Sequence, residues 1–310
     1  MTVYILCPHG IRTGGPEALH QLSDALIHHG FDARMVYYDW GQVVAMERAD
    51  IDDGYAFGER SNEIAEYARY ETKAASVVPN EPGAIVVLTE TLCHLAPKFD
   101  RARVLIWWLS VDNGFEALAK INLNHLRRSG VFHASQSVYA NRIIVGLGLS
   151  PAAGAFLTDY TSDLGGYSSP TPFNERPRLA LFGTRKSIVN FDDVFARVRE
   201  MDDTITCKKL GEMSRSQVMD LLGLARVYVE TGSMPGKDRM PREALARGCN
   251  LVLAPHGAGA TDFNPAMVEA ALDEIPERVV YRMNAPQMQR PLWNERAQFF
   301  REVRAVFSDL

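Results

Sequence analysis

The chain has 310 residues, 46% of them hydrophobic, and a formal net charge of −5. That length buries a full core and favours two domains of ordinary size, and the sequence holds no apolar run near the roughly 20 residues of a membrane-spanning helix. The acidic balance argues against a general nucleic-acid binder, which needs a concentrated basic face. The opening residues, Met1 to Pro8, lack the basic start and long apolar segment of a signal peptide, and Cys7, Cys93, Cys207 and Cys249 form no Cys-x-x-Cys pair. A reduced, cytoplasmic protein without a zinc cluster is therefore expected.

Strand-like and helix-like segments then alternate. Thr2–Leu6 reads as a short apolar strand, and Pro16–His29 as a helix with Leu19, Leu22, Leu26 and His29 at helical spacing, stopped by Gly30. Ala33–Tyr38, Ile85–Leu88, Arg103–Leu109 and the shorter Val131–Ala134 are buried-strand candidates. This rhythm predicts a mostly parallel sheet covered by helices on both faces. From about Ala152 to Pro177 Gly, Ser, Thr and Pro dominate and mark a linker.

The rhythm restarts with strand Arg178–Phe182, helix Asp192–Arg199 and strand Thr204–Lys208. Ser214-Arg215-Ser216-Gln217 has the form of a capping box opening a helix that ends near Gly223. Strand Arg226–Glu230 leads through a polar loop into a helix opening at Pro241 and stopped by Gly248, then strand Asn250–Ala254. An amphipathic helix over Leu292–Phe307 closes the chain. The predicted division is an N-terminal α/β domain over 1–155, a linker over 156–177, a C-terminal α/β domain over 178–291 and a terminal helix over 292–310. Ligands of such folds bind at strand carboxyl ends, in the cleft between halves.

The residues able to carry chemistry follow strands. Glu243 is expected in the first turn of its helix, behind Lys237, Asp238 and Arg239; a carboxylate there accepts from paired sugar hydroxyls while the cations hold phosphate. Gly183-Thr184-Arg185-Lys186-Ser187 reads as a diphosphate loop or as a solvated basic loop. Gly14-Gly15 reads as a phosphate contact or as a plain tight turn, since neither Gly-x-Gly-x-x-Gly nor a Gly-x-x-x-x-Gly-Lys loop is present. Asp112 reads as a partner for an acceptor hydroxyl, a base or a cap, and Glu230 as a carboxylate facing either the cleft or solvent. Glu90, Ser135-Gln136-Ser137 and His256 are weaker candidates of the same kind. His20, His28 and His29 share one helix without a Glu-x-x-His partner, so no metal site is expected, and the tryptophans and methionines read as core.

Together these motifs resemble the GT-B glycosyltransferases, in particular the retaining family that includes many bacterial sugar transferases. Gly14 to Leu26, with Gly30 to Val36, resembles that family's glycine loop, first helix and second strand. Phe182-Gly183-Thr184-Arg185-Lys186 is similar to its Gly-Arg diphosphate loop. Glu243-Ala244-Leu245-Ala246-Arg247-Gly248 resembles its Glu-Ala-x-Ala-x-Gly helix, whose Glu binds the ribose of a nucleotide sugar. The pattern departs at Pro235, where the family commonly carries a donor-sugar glutamate, leaving Asp238 or Glu230 as the candidate substitutes.

The resemblance implies an α/β fold of two Rossmann-like doubly wound domains facing a cleft. It also implies transfer of a hexose or pentose from a UDP- or GDP-linked sugar to a hydroxyl, with retention and without metal or bound cofactor. On this reading Arg185, Lys186 and Asp112 are catalytic, and Gly14, Gly15, Gly183, Thr184, Lys237, Asp238, Arg239 and Glu243 bind the donor. A glycan or small molecule is the favoured acceptor, with a modified DNA base as another class. The alternatives are a non-catalytic nucleotide- or sugar-binding protein, and an epimerase-like enzyme drawing its acid and base from Glu90, Asp112 and His256.

Overall fold

The computed structural model describes residues 1–150, 154–162, 164, 166–187, 189–262 and 285–310. The stretch 263–284, assigned above to the C-terminal domain, lies outside the described residues, as do 151–153, 163 and 165 of the linker region. The chain forms two units, Met1–Asp159 with Ala297–Leu310, and Tyr160–Arg296.

The first unit contains β1 (Thr2–Pro8), α1 (Gly14–His28), β2 (Asp32–Tyr38), α2 (Trp40–Arg48), β3 (Gly54–Ala56), β4 (Val77–Pro79) and β5 (Ala84–Thr89). It continues with β6 (Arg103–Trp108), α3 (Phe115–Ala119), α4 (Leu123–Leu126), β7 (Val131–Ser135), α5 (Val138–Gly146) and β8 (Ala155–Phe156). Six strands form a parallel sheet in the order β2-β1-β5-β6-β7-β8, while β3 and β4 pair antiparallel outside it. β5 is buried along its whole length and apolar up to its last residue, Thr89, as an inner strand covered on both faces must be. α1 turns Leu19, Leu22 and Leu26 inward at the predicted spacing. α2, α5 and the β3–β4 pair are additions to the predicted elements.

Trp107 and Trp108 are fully buried. Trp107 Nε1 donates to Leu157 O at 2.7 Å, and Trp108 Nε1 donates to His133 Nδ1 at 3.1 Å. His133 Nε2 then donates to Leu126 O at 2.9 Å, so its ring is neutral, and burial holds its pKa below the ordinary value. Trp40 departs from the core expectation: it opens α2 with 52% of its surface exposed. The expected linker also begins later, because Ala155–Phe156 pairs with β7 and Leu157 receives the Trp107 bond.

The second unit contains β9 (Leu179–Gly183), α6 (Phe191–Met201), β10 (Thr206–Leu210), α7 (Arg215–Leu224), β11 (Val227–Glu230), α8 (Arg239–Ala246), β12 (Asn250–Leu253) and α9 (Ala258–Thr261). The last helix, α10 (Ala285–Asp309), begins in this unit and from Ala297 belongs to the first, where Phe299 stacks on Trp107 and Phe307 meets Phe31 edge-on. The second sheet is parallel in the order β10-β9-β11-β12. Its core joins Phe182, Ile205, Val227, Val229 and Val252 to Phe191 and Phe195 of α6. The predicted capping box forms, with Gln217 N donating to Ser214 Oγ and Ser214 N to Gln217 Oε1. From β9 the chain runs to β10 on one side and then crosses to β11 on the other, so strand order reverses between β9 and β11. Open α/β sheets take ligands at such a reversal, beyond the strand carboxyl ends.

Candidate functional site

At that reversal the β9 terminus rests on two side chains of β11. Tyr228 and Glu230 are two residues apart, so the strand period places them on one face, and Tyr228 Oη donates to Glu230 Oε2 at 2.7 Å. Burial raises the Tyr228 hydroxyl well above its ordinary pKa, so it stays a donor. Gly232 N donates to the other oxygen, Glu230 Oε1, at 3.3 Å. A Cβ on Gly183 would stand 2.5 Å from both Glu230 Oε2 and the Tyr228 hydroxyl, so any larger residue forces those side-chain ends to move. Gly232 is constrained likewise, since a Cβ there would run into the Lys186 carbonyl. The loops after β9 and β11 are thus in direct contact, joined further by a 2.8 Å hydrogen bond between the hydroxyls of Ser187 and Thr231.

Glu243 sits on α8 at the same edge. The helix begins at Arg239 rather than Pro241, so Glu243 occupies the second turn, not the first as the sequence suggested. Pro241 is tolerated because the first backbone N–H groups of a helix have no intrahelical partner. The carboxylate is 1% exposed and receives Arg215 Nη2 at 2.7 Å, Arg239 Nη2 at 3.0 Å and Arg239 Nε at 3.3 Å. Burial raises its pKa, but the two guanidiniums outweigh burial and hold it below the ordinary carboxylate value. All three bonds end on Oε1; Oε2 takes no donor among the described residues. The result is a buried, ionised carboxylate with one oxygen left to accept from a ligand.

The expected cations lie on neighbouring loops. Lys186 Nζ makes a two-oxygen contact with Asp238, at 2.8 and 2.7 Å, from the β9 loop to the α8 N-cap. Arg185 is exposed, and Thr184 Oγ1 donates to Leu210 O at 2.8 Å. Lys237 reaches Glu295 Oε1 at 3.4 Å, while the fully buried Arg242 meets Glu295 Oε2 at 3.5 Å and donates to Lys237 O at 3.0 Å. Gly183, Thr184, Arg185, Lys186, Lys237, Asp238, Arg239 and Glu243 therefore share one edge of the second sheet.

Gly14, Gly15 and Asp112 belong to the first unit. Gly14 and Gly15 open α1; neither has positive φ, and a Cβ on Gly15 would make ordinary contact with Leu109 at 3.9 Å. Asp112 follows β6 and accepts from Tyr139 Oη at 2.8 Å. Glu90 is buried and accepts from Leu109 N at 2.9 Å, and Ser137 caps α5 through Ala140 N. His20 is buried against Pro16 O and Tyr37 Oη, a core histidine. A groove of about 840 Å³ in this unit, lined by Tyr4, Arg34, Glu59, Arg60 and Glu81, touches neither the switch point nor any predicted site residue.

Sequence reasoning missed Arg215, Tyr228, Arg242 and Glu295 as parts of the site. The signal for Tyr228 was its two-residue spacing from Glu230. Arg215 was read only as part of a cap, and Glu295 is placed by a helix far along the chain.

No protein-family profile matches the chain, and no curated protein resembles it in sequence. Solved structures do resemble it. A lipopolysaccharide outer core galactosyltransferase, WaaB, in its apo form, aligns over 100% of both chains at 10% identity with a TM-score of 0.61. Anabaena HepE in complex with UDP and glucose aligns over 100% of both chains at 13% identity with a TM-score of 0.58. The fold is GT-B. At these identities the likeness speaks for the GT-B scaffold, two α/β units each built on a parallel sheet, with the terminal helix ending in the first. Among the described residues of this scaffold no helix is long and apolar enough to cross a membrane.

Proposed function

We propose that this GT-B protein is a glycosyltransferase that moves a sugar from a nucleoside diphosphate, UDP- or GDP-linked, to an acceptor hydroxyl. The observation that carries the reading is Glu243: buried, kept ionised by Arg215 and Arg239, and offering Oε2 at the carboxyl edge of a parallel sheet. A ribose presents adjacent hydroxyls to such an oxygen. The neighbouring HepE structure, which holds UDP and glucose, supports the same ligand class.

In the reaction the bond from the anomeric carbon to the β-phosphate oxygen breaks and one from the acceptor oxygen to that carbon forms. The acceptor hydroxyl gives up its proton, and the nucleoside diphosphate leaves with the bonding pair. On this reading Arg185, Lys186 and Lys237 neutralise that departing charge as it develops, the largest contribution in most such sites. Fixed cations rather than a divalent metal supply the countercharge, and configuration is retained. Gly183 and Thr184 bring loop backbone close to the diphosphate, while Gly14, Gly15 and Asp112 serve the acceptor side of the first unit. The acceptor is a glycan or small molecule, with a modified DNA base as the third class.

One observation favours a non-catalytic binding protein instead: Pro235 is buried where the resembled pattern carries a glutamate. The epimerase-like reading has less support, since Glu90 and Asp112 are each engaged in the first unit and His256 is exposed in the second.

Calorimetric titration with UDP, GDP and their sugar conjugates, repeated on Glu243→Ala and Arg185→Ala, tests the reading. Binding of one nucleotide that both substitutions weaken supports it; binding of none by the wild-type protein overturns it. Donor hydrolysis or transfer separates an enzyme from a binder.

A further inference from the structure

We infer that the groove of about 840 Å³ in the first unit is a second ligand site, and that it holds a neutral oligosaccharide. The groove shares no residue with the edge of the second sheet, so it stands or falls apart from the donor reading.

Its floor is built by strand register. Tyr4 and Arg34 are partners across the parallel pair β1–β2, each the third residue of its strand, so they share one face toward the amino ends. Ligands of doubly wound sheets ordinarily take the other, carboxyl ends. Tyr4 packs against the core cluster containing Leu6, Val36 and Val86, yet keeps part of its surface in the groove. Residues 74–77 and Pro79 form a wall beside the edge strand β2. That wall is pinned by backbone: Met35 N donates to Lys73 O at 2.7 Å, and Ala75 N to Met35 O at 2.9 Å. Floor and wall are therefore preformed, which spares a ligand the cost of ordering them.

The charges select the ligand. Each arginine of the groove has its own aspartate: Arg34 Nη2 donates to Asp32 Oδ2 at 3.0 Å, and Arg60 Nη2 to Asp39 Oδ2 at 2.6 Å. Glu59 and Glu81 are exposed and form no ion pair among the described residues. The local balance is thus negative, which repels phosphate, sulfate and nucleic acid. A basic peptide meets the two guanidiniums as well as the carboxylates. A sugar is uncharged, and its hydroxyls donate to both carboxylates in charge-assisted bonds. Arg34 Nη1, unused by Asp32, keeps two N–H groups for sugar oxygens. Tyr4 adds an apolar ring with a polar tip, suited to a sugar's C–H face and its hydroxyl rim. A single hexose leaves most of the groove unfilled, so the ligand is an oligosaccharide.

The test is binding of the full chain to an immobilised array of short neutral oligosaccharides of glucose, galactose, mannose and N-acetylglucosamine, with heparin fragments and an oligolysine peptide as charged controls. Titration then measures the glycan that wild type binds against Tyr4→Ala, Tyr4→Phe, Ala74→Trp and the double variant Glu59→Gln/Glu81→Gln, with thermal melting as a check on folding. Wild type is expected to bind at least one neutral glycan. Tyr4→Ala and the double variant are each expected to lose about tenfold or more in affinity. Tyr4→Phe keeps the ring and is expected to lose no more than about twofold. Ala74→Trp fills the groove from its exposed wall and is expected to abolish binding, which decides the matter if Tyr4→Ala does not fold. Nucleotide titration is expected to be unchanged in all four variants. Binding of no neutral glycan, or preference for heparin or oligolysine, overturns the inference. Glycan binding that survives every groove variant also overturns it, by placing the ligand elsewhere. Glycan binding lost in the groove variants of a protein that binds no nucleotide supports the groove and overturns the transfer reading alone.

Discussion

Arg215 Nη2 stands 2.7 Å from Glu243 Oε1, joining the first helical residue of α7 to the second turn of α8. With Arg239 on the same oxygen, the glutamate is more than a ligand acceptor; it neutralises two guanidiniums that are themselves largely buried. Replacing it by Gln removes the charge that Arg215 and Arg239 share at Oε1. Expulsion of an uncompensated charge from a buried pair costs roughly 3–5 kcal/mol, and the partial exposure of both arginines reduces that to about 2 kcal/mol here. Urea unfolding of Glu243→Gln should show this loss, and Arg215→Met in the same chain should recover part of it. Equal losses that simply add would mean the pair is not coupled.

The same carboxylate sets an acid limit. Its folded pKa lies below the ordinary value of 4.5, because Arg239 and Arg215 outweigh burial. A depressed carboxyl contributes stability that is fully present above the unfolded value and is lost as pH falls through the folded one. Melting temperature of the wild-type protein should therefore fall on acidification below about pH 4.5. Glu243→Gln should be less stable at neutral pH and show a shallower decline. Superimposable pH profiles for the two proteins would remove Glu243 from the account.

Most of the scaffold was legible in the sequence because each long element carries its own period. Leu19, Leu22 and Leu26 declare α1, the run Ile85–Leu88 declares a doubly covered strand, and Ser214 with Gln217 writes the start of α7. α2 escaped notice because Trp40 and Val44 face solvent, so its apolar residues do not trace a buried stripe. The site was legible where chemistry is local: Glu243, Lys186 and Asp238 follow strands within one loop each. Its electrostatics were not, because Arg215 and Glu243 lie 28 positions apart and Lys237 and Glu295 58 apart. Nothing short-range announces such pairs. The boundary of the first unit was hidden for a similar reason, since β8 is only two residues long and gains its place from pairing with β7.

Gly183 offers a steric test of the switch point. A methyl group added there meets Glu230 Oε2 and the Tyr228 hydroxyl at 2.5 Å, and the Tyr228–Glu230 hydrogen bond stiffens both against retreat. Gly183→Ala should cost about 1–3 kcal/mol of stability, the usual range for overpacking. Adding Tyr228→Phe removes one of the two obstructing atoms and frees the carboxylate to shift, so the double variant should regain part of the loss. Thermal melting of the single and double variants measures both effects. A Gly183→Ala protein as stable as wild type would show that this edge of the sheet is looser than its packing indicates.

Glu90 should behave in the opposite sense to Glu243. It lies 4% exposed at the end of β5, accepts from Leu109 N at 2.9 Å, and burial holds its carboxyl above the ordinary value. A raised carboxyl contributes stability that is fully present below the unfolded pKa and is lost as pH rises through the folded one. Glu90→Gln keeps an amide oxygen for Leu109 N and removes the charge that burial penalises. The variant should match wild type near pH 4 and exceed it at neutral pH, where the buried carboxylate has to ionise. Chemical denaturation at the two pH values decides the matter. A neutral-pH loss instead of a gain would mean that the ionised carboxylate is itself bonded by the backbone donors around Leu109, strongly enough to outweigh its desolvation.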